Sequence, residues 1–259
     1  MMHNEAPVLI GRPQYPLKVS EIFKVAESEA EHPPELLITY VNGMQSHRAY
    51  AGEITLAMCR ELKRSVEISC AVALRLAMKF PERNVLLFNT YAGADLLTSG
   101  FVQALHTLDL KIPYTLQRYL PKAKADDFDD TVDLPSPENL RVLDVPTSTL
   151  TPDSLREEIT KNGANIVILN SFEFSAFTDR RRKELVETLL DARHRLGLTV
   201  FVFSHELRSV VPYTTGRGAL GLLSAFSKSV WLLVEDWERR AWVHRLMDRM
   251  ELKELGITN

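Results

Sequence analysis

"EITLAMCRELKRSVEISCAVALRLA" (Glu53–Ala77) decides the fold, because its periodicity changes in the middle. Residues 53–59 are a β-rich apolar run. From 65 to 80 the apolar positions wrap almost all the way round a helix. Glu67, Arg75 and Lys79 fall at multiples of four with Ala71 between them, which leaves one narrow polar stripe. A helix patterned this way is mostly buried, and Pro81 ends it. The charged stretch between, "CRELKRSV" (59–66), reads as the turn of a strand–turn–helix unit.

The same alternation continues downstream. Strands are predicted over 84–90, 140–146, 164–171 and 199–206, and helices over 93–108, 151–163 and 178–198. Thr151 caps one helix, Pro152 takes its first position and Gly163 stops it; Gly197 stops the next. Unbroken apolar strands spaced by helices predict an α/β fold with a mostly parallel, twisted sheet covered on both faces. Residues 228–236 and 240–248 predict a C-terminal antiparallel hairpin at one edge. The segment 109–138, with the acidic "ADDFDD" (125–130), reads as a solvated loop. Upstream, residues 1–44 read as an arm and linker ahead of a domain over 45–259. Within that arm, Ser20 can cap a short amphipathic helix carrying Val19, Ile22, Phe23, Val25 and Ala26, which Pro33 and Pro34 stop; such a helix either packs on its own domain or docks on a neighbouring subunit.

Composition narrows the class. Of 259 residues 45% are apolar and 25% charged, as in an ordinary globular domain with a sizeable core. A net charge of -3 gives no global attraction to nucleic acid or to acidic membranes. Cys59 and Cys70 have no metal-ligand spacing and read as core thiols in a reducing compartment. No run approaches the ~18 apolar residues of a membrane span, and the N-terminal stretch lacks the pattern of a secretory signal. A cytoplasmic protein is expected.

Element order and local strings together resemble the RecA-like P-loop ATPases, in the DnaB, RadA and KaiC branch. "AGEITLAM" (51–58) and "SCAVALRLAMKFPERNVLLFNT" (69–90) carry the resemblance, which covers about residues 45–250. The family's phosphate loop needs glycines so that backbone N–H groups can wrap phosphate, a lysine for charge and a hydroxyl for magnesium. Laid on this chain, the glycines fall on Cys59 and Arg64, the lysine on Ser65 and the hydroxyl on Val66. The next strand end reads "FNTYAG" (88–93), with Tyr91 where relatives carry a catalytic glutamate. "NIVILN" (165–170) puts Asn170 where the magnesium-holding aspartate belongs, and Glu173 lies past the strand end. "FSHEL" (203–207) puts His205 at a polar sensor position, and Arg217 lies near where some relatives reach a neighbouring subunit's nucleotide.

The resemblance therefore implies a RecA-like domain with a degenerate nucleotide site: a pseudo-ATPase with no catalytic residues, no metal and no required cofactor. It implies a protein partner, either a second copy or an active RecA-like paralogue, joined through the N-terminal helix, in DNA replication, repair or recombination. Two other readings stand beside it. Lys63, Arg64 and Ser65 could hold ATP or phosphate weakly at a helix start. The basic run Arg180, Arg181, Arg182 and Lys183 could contact DNA or an acidic partner, although such runs are usually just solvated. His205–Glu206 opens like a zinc motif, but no second histidine follows at the required spacing. Trp231, Trp237 and Trp242 read as core or edge packing.

Overall fold

The computed structural model describes residues 35–42, 45–59, 61–90, 93–146, 149–170, 179–204 and 229–233. A hairpin comes first, β1 (Leu36–Asn42) and β2 (Gln45–Tyr50). The alternating body follows: β3 (Ile54–Cys59), α1 (Leu62–Lys79), β4 (Val85–Asn89), α2 (Ala94–Thr107), β5 (Leu140–Asp144), α3 (Pro152–Lys161), β6 (Ile166–Asn170), α4 (Asp179–Leu196), β7 (Thr199–Ser204) and β8 (Ser229–Leu233). The sheet has six strands in the order β5-β4-β6-β7-β3-β8. Every neighbouring pair is parallel. The α/β class and the parallel sheet thus follow the sequence reading.

The strands are apolar throughout because both faces are covered. Ala57, Cys59, Leu87, Ile168 and Phe203 pack on one face under α1 and α2. Leu56, Met58, Phe88, Leu169 and Val202 pack on the other under α3 and α4. Handedness explains the split. The connections β3→β4 and β4→β5 cross the sheet in one direction, and β5→β6 and β6→β7 in the reverse. Right-handed crossovers in opposite directions deliver their helices to opposite faces.

Helix ends follow their chemistry. Thr151 Oγ1 accepts from Ser154 N at 3.0 Å, and Pro152 holds the first helical position, as the sequence predicts. Gly163 and Gly197 adopt φ of 53° and 62° just past α3 and α4, in the left-handed region that favours glycine. Asn139 Nδ2 donates to the carbonyls of Ala77, Phe80 and Arg83 at 2.8–3.0 Å, tying the end of α1 to the loop before β5.

The structure departs from the sequence reading in several places. α1 begins at Leu62, one turn earlier than Ser65, so Ser65 is an interior helical residue. The 109–138 segment is not merely solvated. It makes two 3-10 turns, Tyr114–Tyr119 and Ala125–Asp127, and buries Ile112, Leu120 and Phe128 beneath α2. The antiparallel hairpin of β1 and β2 has no counterpart in the sequence reading. It is fastened through both strands: Trp231 Nε1 donates to Arg48 O at 3.0 Å, and Lys79 Nζ to Leu37 O at 2.9 Å. Trp231 is buried, as core packing requires. β8 is an edge strand parallel to β3. Its expected hairpin partner (240–248) and the expected N-terminal helix lie outside the described residues. Among the described residues no helix is long and apolar enough to cross a membrane.

Candidate functional site

Because all six strands run the same way, their C-terminal ends share one edge, the usual ligand edge of an α/β sheet. Cys59 ends β3, Asn89 ends β4, Asp144 ends β5, Asn170 ends β6 and Ser204 ends β7. Asn89 is in register with Asn170 on one side and Asp144 on the other. Strand alternation points Cys59, Asn89 and Asn170 to the α1–α2 face. The structure therefore brings together Cys59 and Asn170 with the residues just before Tyr91 and His205. Tyr91, Glu173, His205 and Arg217 themselves lie outside the described residues.

The polar groups at this edge are engaged in holding strand ends. Asn89 Nδ2 donates to Asp144 Oδ1 at 2.9 Å. Thr90 Oγ1 donates to Asn170 O at 2.8 Å. Val145 N donates to Asn89 O at 3.0 Å. The sequence reading missed Asp144 because its relevance depends on β5 lying beside β4, which periodicity does not reveal.

The start of α1 decides what the edge can do. β3 ends at Cys59 and α1 begins at Leu62, so only Arg60 and Glu61 connect them. Glu61 is the N-cap and makes no side-chain cap bond. Ser65 N already donates to Glu61 O at 3.0 Å, the regular bond of a helix. Ser65 and Val66 are fully buried. A Cβ on Gly100 of α2 would lie 2.9 Å from Cys70 Sγ and 3.0 Å from Val66 Cγ1. Val66 is thus held in the contact between the two helices. The four positions of the laid-on motif sit in a strand end and a packed helix.

Charge at this helix start is directed back along the helix. Lys63 Nζ lies 3.9 Å and Arg64 Nη1 3.5 Å from the Glu67 carboxylate; Lys63 is largely exposed and Arg64 partly so. Such pairs contribute at most about 1 kcal/mol, so they do not fix the side chains firmly. Burial pushes the Cys59 thiol up to about 12, against the smaller opposing effects of the Arg64 charge and the Ser65 hydroxyl. Burial likewise raises Cys70 to about 12. Neither is a reactive thiolate. Among the described residues no group of three His, Cys, Asp or Glu side chains is placed to hold a metal.

The basic run at the start of α4 divides. Arg180 bonds Glu184 at 2.7 Å, and that bond followed by the Glu184 charge raises its pKa. Arg181 Nη2 donates to Leu150 O at 2.7 Å and braces α4 against the segment before α3. The side chains of Arg182 and Lys183 lie outside the described residues. No protein-family model matches the chain, and no curated protein matches it in sequence.

Proposed function

We propose that the chain is a RecA-like homologue that does not hydrolyse ATP and works as a scaffold, regulator or partner subunit. The observation that carries this reading is the two-residue connection from β3 to α1. Phosphate wrapping needs a run of backbone N–H groups free of helical bonds and of Cβ atoms. Here the N–H of Ser65 is already bonded within the helix. Val66 and Ser65 are core residues and reach neither nucleotide nor magnesium. Asn170 supplies no charge for a metal at the end of β6, where relatives carry aspartate.

The RecA-like part of the reading draws support from the common edge. The four strand ends to which the resemblance assigns nucleotide chemistry are those of β3, β4, β6 and β7, and all lie at one end of a parallel sheet. By resemblance the partner is a second copy or an active RecA-like paralogue, in DNA replication, repair or recombination.

Thermal unfolding with and without millimolar magnesium–ATP, alongside a phosphate-release assay, tests the proposal. A native-state ligand at a hundred times its Kd stabilises by about 2.7 kcal/mol. In a domain of this size that raises Tm by roughly 5–10 °C. The expected result is no shift and no release above blank. A shift of that size would instead favour an atypical nucleotide site at Lys63, Arg64 and Ser65. Light scattering tests the scaffold: a strict monomer with no copurifying partner would remove that role.

A further inference from the structure

We propose that the groove between β1 and the last turns of α1 binds a small carboxylate with an apolar body, its charged end held by Arg75. This goes beyond the proposed function and does not depend on it. The groove measures about 310 Å³ and is lined by Leu37, Ile38, Thr39, Arg75, Leu76 and Lys79. Ligand pockets start at roughly 300 Å³, so the occupant is small. Leu37, Ile38 and Leu76 are buried and form an apolar floor. Thr39 and Lys79 are exposed and mark the mouth.

The polar side of the groove selects the ligand. Two of its six lining residues are cations and none is acidic. Lys79 is already engaged: its Nζ donates to Leu37 O at 2.9 Å and lies 4.8 Å from the centre of the Phe80 ring. Arg75 is different. Among the described residues its guanidinium forms no hydrogen bond and no ion pair. Its Nε is buried, which leaves the two terminal nitrogens to meet a ligand in the groove. The side chain is only partly exposed, so part of its hydration is lost with nothing to replace it. Neighbouring carboxylates are used elsewhere. Glu67, two turns earlier on α1, pairs with Lys63 and Arg64, and Glu35, just before β1, pairs with Arg83. A guanidinium is a planar fork that fits a carboxylate through two parallel N–H···O bonds. An unpaired fork beside an apolar floor therefore matches one carboxylate carrying a hydrocarbon body. Inorganic phosphate would satisfy the charge and leave the floor uncovered.

NMR titration of the isotope-labelled full-length protein with hexanoate, hexylammonium and inorganic phosphate tests the site. Hexanoate should give saturable amide shifts centred on Leu37, Ile38, Thr39 and the end of α1. Hexylammonium keeps the apolar body and reverses the charge, and phosphate keeps the charge and lacks the body. Each should bind about tenfold more weakly than hexanoate, or worse, because each lacks one of the two contacts. Arg75→Met keeps the apolar stem without the charge. It should weaken hexanoate by about tenfold and leave hexylammonium no weaker, with circular dichroism verifying that R75M is folded. The comparison of the three ligands on the parent protein decides the matter even where R75M does not fold. No saturable shift with hexanoate, shifts centred away from the groove, equal binding of hexylammonium or phosphate, or a folded R75M that holds hexanoate as tightly as the parent would each overturn the proposal.

Discussion

Replacing Gly100 by alanine asks whether the first turns of α1 are committed to packing. The added Cβ would lie 2.9 Å from Cys70 Sγ, 3.0 Å from Val66 Cγ1 and 3.3 Å from Val66 O. All three are closer than ordinary contact, and one belongs to backbone, so α2 has to move away from α1. Overpacking of this kind costs about 1–3 kcal/mol. Alanine recovers about 1 kcal/mol of helix propensity over glycine. The net expectation is a loss of about 1 kcal/mol, or roughly 2–4 °C in Tm for a chain of this size. The diagnostic step is to repeat the change in a Cys70→Ala background, where the nearest atom is gone. There G100A should be neutral or slightly stabilising, a coupling of about 1 kcal/mol between residues in contact. Urea unfolding reads this as a shift in midpoint at constant slope. Equal effects in the two backgrounds would refute the Cys70 contact, and a stabilised G100A single variant would refute the packing argument as a whole.

Two further substitutions probe the frame and the thiols. Asn139→Ala removes three bonds to the carbonyls of Ala77, Phe80 and Arg83 and should cost about 2 kcal/mol. Asn139→Asp turns a carboxylate toward the same oxygens and should cost more; urea midpoints with Asp no worse than Ala would contradict the contact. For the thiols, folding raises Cys59 and Cys70 from 9.0 to about 12, so between those values the native state binds more protons than the unfolded chain. Their contribution is therefore complete below pH 9 and is lost as pH rises toward 12. Stability should fall across that window, and Cys59→Ala should flatten the fall; identical pH profiles for the variant and the parent would count against it.

Much of the body was legible because a strand buried on both faces needs no alternation to be recognised. The runs at β3, β4, β6 and β7 are apolar at nearly every position, and helices separate them. The hairpin was not legible from pattern alone. "QSHRAY" is largely polar, and its attachment runs through Trp231, 183 residues beyond Arg48. Asn42–Gly43, after the β-rich run 36–41, was the available signal. Ile112, Leu120 and Phe128 are isolated in a polar segment, and 3-10 turns leave no period to detect. The start of α1 was misplaced because the charged stretch 59–66 reads as a turn, whereas the helix takes in Leu62 to Val66 and its cap, Glu61, makes no side-chain cap bond. At the site, residue types and their place at strand ends could be read. The link from Asn89 to Asp144 could not, since strand order is a property of the whole sheet.

The eight residues 59–66 face two incompatible demands. A phosphate-wrapping loop needs several residues outside the strand and the helix, with N–H groups unbonded and no side chains in the way. A helix that packs closely on its neighbour needs its first turns formed and its inward residues bulky. This chain meets the second demand: α1 is formed from Leu62, Val66 meets α2 at Gly100, and Ser65 lies in the core. Installing single phosphate-loop residues would therefore not create a nucleotide site. Ser65→Lys would bury an unpaired ammonium in the core, and Val66→Thr would place a hydroxyl in the contact with α2. The obstacle is the length of the connection, and only lengthening it beyond Arg60 and Glu61 would change what this sheet edge can bind.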